Sequence, residues 1–107
     1  MLYGHTVDDK KGWRIYIHNF YWDSEETICD AIKKMIKQYN PIVINLANLN
    51  YFDDDGAAII KHAINLIREN EKSVAICCEQ WVKEKLGSDL FVTFEIVKKD
   101  IRELVAV

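Results

Sequence analysis

Residues 41–46 read Pro-Ile-Val-Ile-Asn-Leu, an apolar run broken only at Asn45. A strand with one wet face alternates apolar and polar residues, whereas a strand covered on both faces does not. The run fits the middle of a parallel sheet. Parallel neighbours need long crossovers, usually helices, so such a strand commits the chain to alternate strand and helix. Helical patterns stand on both sides of it.

Upstream, Ser24 followed by Glu25 and Glu26 predicts a helix start, with a capping hydroxyl and acidic residues where the helix dipole favours them. Ile28, Ala31, Ile32, Met35, Ile36 and Tyr39 recur at helical spacing, with Asp30, Lys33, Lys34, Lys37 and Gln38 on the opposite face. Downstream, a second helix is predicted from about Asp54 to Glu69, burying Ile59, Ile60, Ala63, Ile64 and Ile67. Val74 to Cys78 reads as another apolar strand. A short helix follows with Trp81, Val82 and Leu86 inward, then a strand within Phe91 to Val97. Asp100 can cap a final helix with Ile101, Leu104 and Val105 inward. At the front, Leu2 to Val7 is one strand. Trp13, Ile15 and Ile17 alternate with Arg14, Tyr16 and His18 in a second, across the polar turn Asp8 to Gly12. The expected fold is α/β: one domain over residues 1–107, a mixed sheet of about five strands with a parallel core, and about four helices.

At 107 residues the chain can bury about two-thirds of its unfolded surface, enough for a core without a disulfide or metal staple. Its net charge of −3 lacks the basic surplus of a nucleic-acid binder, so no nucleic acid is expected as partner. No apolar run approaches the roughly 18 residues of a membrane span. The opening MLYGHTVDDKKGW lacks the apolar core of a signal peptide. Cys29, Cys77 and Cys78 are odd in number and include an adjacent pair, which does not make a disulfide framework. A reduced, cytoplasmic protein is expected. No P-loop, GxGxxG, CxxC or Ser/His/Asp arrangement can be read, so neither a cofactor nor catalysis is expected.

The richest stretch runs from Ile42 to Gly56, where a buried strand ends, a loop turns and a helix opens on Asp53-Asp54-Asp55-Gly56. α/β folds place binding sites at such junctions. An Asp at a helix start caps free N–H groups, and each charge near the dipole contributes about 0.3–1 kcal/mol. Only one of three adjacent carboxylates can be the cap, so capping explains one Asp well and a second in part. An interaction surface is the other main reading. A Mg²⁺ site, in a receiver or small enzyme, is a third, since hard cations take oxygen ligands; consecutive residues, however, rarely converge on one ion.

The order of residues here resembles the STAS family, the domain of anti-sigma factor antagonists and sulfate transporter tails. Its members carry an apolar strand ending in Asp-Leu-Ser, a short loop with an apolar pair, then Asp-Ser-Ser-Gly opening a helix. This chain has Asn45-Leu46-Ala47, Tyr51-Phe52 and Asp53-Asp54-Asp55-Gly56. The later elements also fall in the family's order, and the resemblance is best from Pro41 to Val105. It implies a protein-interaction module that works by partner switching with an anti-sigma factor that is also a serine kinase. It also implies that Asp53 matches the motif Asp, Asp54 the first Ser and Asp55 the phosphoacceptor. Asp55 has no hydroxyl to phosphorylate. Its charge of about −1 partly resembles phosphoserine at about −1.5 to −2, and permanently. The alternative within the resemblance is a subunit of a transporter or other complex.

Phe20, Tyr21 and Trp22 stand together between the second strand and the first helix. Large apolar loop residues can anchor a partner or close the sheet end. The reading puts one or two of them in the core and at least one outside, with Tyr21, Trp22 and Tyr51 as candidate partner contacts. His62 stands seven residues past Asp55, two turns on, and reads as a solvated helix residue.

Overall fold

A computed structural model describes residues 2–20, 23–87, 90 and 92–98. The chain first reverses at residues 8–11, where Asp8, Asp9 and Lys10 take positive φ values of 50°, 55° and 69°. Aspartate tolerates this region better than most residues. The reversal pairs β1 (Tyr3–Val7) antiparallel with β2 (Gly12–Tyr16). Gly12 is needed where β2 meets the next strand, because a Cβ there would stand 2.7 Å from the Pro41 carbonyl oxygen. The neighbouring Trp13 N–H donates to that same oxygen at 3.0 Å.

Three parallel steps follow. β3 (Ile42–Asn45) lies between β2 and β4 (Val74–Cys78), and β5 (Thr93–Ile96) pairs with β4. The sheet order is β1-β2-β3-β4-β5, the order of the chain. Each parallel step is bridged by one helix: α1 (Glu25–Met35), α2 (Asp54–Glu69) and α3 (Gln80–Leu86). Right-handed crossovers that always step the same way put their helices on one face of the sheet. α1 accordingly packs on α2, and α2 on α3.

The register sets Ile15, Ile44, Ile76 and Phe94 side by side across four strands, and the first three are at most 2 % exposed. Ile28 and Ile32 of α1, Ile60, Ala63, Ile64 and Ile67 of α2, and Val82 and Leu86 of α3 pack into the same cluster. A fully buried Ile or Leu contributes about 1.5–3 kcal/mol, so this layer dominates the stability. All four residues of β3 are buried, as its apolar run predicts. Val43 and Cys77 point to the other side and lie outside the cluster.

The helix boundaries follow local chemistry. Ser24 is in extended conformation, and its hydroxyl accepts the Thr27 N–H at 3.2 Å. α2 has the span its periodicity predicts. Within its apolar stripe Ile59 is only half-buried, while Gly56 and Ala57 join the buried face. Trp81 differs from expectation: it is 39 % exposed and donates its indole N–H to Glu79 at 3.0 Å. α3 has seven residues, and its buried stripe is Val82 and Leu86, one turn apart; Trp81 sits about 100° round the helix from Val82. The described residues hold three helices. The fourth, expected from Asp100 with Ile101, Leu104 and Val105, lies outside them, as does Phe91. Among the described residues no helix is long and apolar enough to cross a membrane.

Candidate functional site

At the end of β3, Asn45 turns the chain out of the sheet. Its side-chain oxygen accepts the Ala47 N–H at 2.8 Å, and it is buried. Leu46 and Leu49, each 1 % exposed, pin the loop to the core. The aromatic pair that follows splits. Phe52 packs inward with its ring 5.8 Å from that of Phe20, while Tyr51 is 73 % exposed.

The three carboxylates then take three different roles. Asp53 is the cap of α2: in extended conformation, it accepts the Gly56 N–H at 2.9 Å and the Tyr51 hydroxyl at 3.4 Å. Asp54 points out of the first turn and pairs at 2.7 Å with Lys85 of α3. The lysine's hydrogen bond holds the Asp54 carboxyl below the usual carboxylate range, and the carboxylate raises Lys85 in return. Asp55 is exposed and has no hydrogen-bond or ion-pair partner among the described residues. The sequence implies that one Asp caps; it does not reveal that a lysine 31 residues beyond Asp54 engages the second.

Asp55 lies on a cavity of about 530 Å³ at the carboxyl ends of β2 and β3. His18, Asn19 and Phe20 form one wall, Asn50, Tyr51 and Asp53 another, and Gly56 and Ile59 of α2 the third. Gly56 allows the close approach of helix and loop: a Cβ there would stand 3.1 Å from the Phe20 ring and 3.2 Å from that of Phe52. Asp23, buried at 5 %, fastens the same loop by accepting the His18 N–H at 3.3 Å.

Of the residues singled out in the sequence, Asp53, Asp55, Gly56 and Tyr51 meet at this cavity, and Asp54 stands beside them facing α3. Phe20 is half-buried and packs against the core, while Tyr21 and Trp22 lie outside the described residues. His62 is exposed as expected, yet it pairs with Glu25 of α1 at 2.6 Å and does not line this cavity. His18, Asn19 and Asn50 gave no sequence signal; only their place at strand ends marks them. Among the described residues no group of three His, Cys, Asp or Glu side chains could hold a metal ion. Asp53 and Asp54 turn their oxygens to separate partners, so the acidic run does not converge.

No protein-family model matches the chain, and no curated protein matches it significantly. A fixed negative charge stands beside an exposed aromatic ring at the mouth of a cavity, on elements held by Leu46, Leu49 and Phe52.

Proposed function

We propose that this chain is a non-enzymatic protein-interaction module of the STAS type. In this reading it is an anti-sigma factor antagonist-like regulator in the cytoplasm, whose contact loop is Asp53–Gly56. The observation that carries the reading is Asp55. It alone of the three carboxylates has no intramolecular partner among the described residues, and it stands beside exposed Tyr51 at a cavity. Capping accounts for Asp53, and the bridge to α3 accounts for Asp54. The alternation of strand and helix around Asp53–Gly56 supports the resemblance. At the position of the family's phosphoacceptor, Asp55 presents a permanent charge of about −1 in place of a switchable one.

The test is affinity capture from lysate of the source organism, with the wild-type chain and Asp55→Ser as parallel baits. A kinase-type anti-sigma factor is expected, in amounts that differ between the baits. Recovery of no such kinase with either bait overturns the reading and favours the transporter-subunit alternative. Incubation with ATP and that kinase is expected to leave residues 53–55 unmodified in the wild type, and phosphate on Asp55 by mass spectrometry contradicts the fixed-charge role.

A further inference from the structure

We propose that the cavity between the β2–α1 loop and the first turn of α2 receives an arginine side chain of the partner protein. This deepens the reading above and rests on it. Three features of the cavity select this occupant. Its walls at Phe20 and Ile59 are apolar and suit a methylene stem, which long basic side chains bury readily. Its mouth carries Asp55, a carboxylate with no partner among the described residues, while the other lining carboxylate, Asp53, already accepts two hydrogen bonds. Tyr51, 73 % exposed, lines the same cavity and offers an aromatic face to an occupant.

A cation with an apolar stem satisfies all three, and a guanidinium does so better than an ammonium. Its planar fork pairs with a carboxylate through two parallel N–H donors, and its face stacks on an aromatic ring. The nearby Lys85 is engaged by Asp54, which leaves Asp55 to an outside cation. The net charge of −3 favours the approach of a basic surface.

The test is a ¹H–¹⁵N titration of the full chain with N-acetyl-arginine amide. N-acetyl-lysine amide and N-acetyl-norleucine amide are run alongside. Saturable shifts are expected at Phe20, Gly56 and Ile59, stronger with arginine than with lysine and absent with norleucine. Asp55→Asn is expected to weaken arginine binding by about two- to five-fold, the range of an exposed ion pair. Asp30→Asn, on the exposed face of α1 and outside the cavity lining, is expected to leave it unchanged. Equal shifts with norleucine overturn the proposal, because they reduce the cavity to an apolar crevice. Absence of localised shifts, or arginine binding indifferent to Asp55→Asn, overturns it too. A partner captured from lysate without arginine binding refutes only this occupant; arginine binding without a captured kinase counts against the regulator reading alone.

Discussion

Replacing Asp53 by Ala removes the acceptor of the Gly56 N–H, a 2.9 Å bond at the start of a sixteen-residue helix. Loss of such a cap costs about 1 kcal/mol, within a range of about 0.5–2. Unfolding entropy near 60 °C is about 2.1 cal/mol/K per residue, or about 0.2 kcal/mol/K for 107 residues. The melting temperature is therefore expected to fall by about 4–5 °C. Asp55→Ala changes the same residue type two positions on, where no hydrogen bond is lost. Only the charge–dipole attraction goes, and relief of repulsion from Asp53 and Asp54 offsets part of it. That cost is expected to stay below about 0.5 kcal/mol, or about 2 °C. Asp53→Asn keeps a side-chain acceptor and is expected to recover most of the loss. Scanning calorimetry at neutral pH, with urea unfolding to check that m is unchanged, reads all three. Equal destabilisation by Asp53→Ala and Asp55→Ala, or no recovery with Asp53→Asn, refutes the division of roles among the three carboxylates.

Ile44→Ala, at a fully buried position of β3, is expected to cost about 2–5 kcal/mol in urea unfolding, and a loss under 1 kcal/mol contradicts the central placement of that strand. Burial pushes the Cys78 thiol up to about 11 from its ordinary 9.0. The unfolded chain loses that proton first, so this stabilisation is whole below about pH 9 and is lost as pH rises through about 11. Cys78→Ala is expected to flatten the alkaline fall in stability, and parallel wild-type and variant curves refute the assignment. Burial lowers the Arg14 pKa, but its partners, among them Glu95 at 3.2 Å, outweigh that and hold the guanidinium above its ordinary value.

The legible parts of the fold are those with one dominant local cause. β3 was legible because an apolar run broken only at Asn45 has few other uses, and α2 because its stripe, its acidic first turn and its cap agree. What escaped the sequence depends on contacts between distant elements. Three adjacent aspartates look alike until Lys85 on α3 reaches Asp54. His62 meets Glu25 across 37 residues. Arg14 reads as the wet half of an alternating strand, yet it reaches Glu95 on β5, three strands away in the sheet. Trp81 is expected inward with Val82 and Leu86, but a seven-residue helix has only one narrow face to bury. At the candidate site the acidic loop and the aromatic Phe20 were visible, but His18, Asn19 and Asn50 were not, since nothing local announces that two strand ends will stand together.

The identity of chain order and sheet order bears on how the molecule is made. Every strand of the described sheet after the first pairs with the one synthesised just before it, so none must be inserted between two existing neighbours. As the chain emerges from a ribosome, β1 already covers the far side of β2. The newest strand is then the growing open edge, and the next helix and strand extend the sheet from there. Assembly can keep pace with translation one crossover at a time, with each new pairing closing a loop of only a few tens of residues.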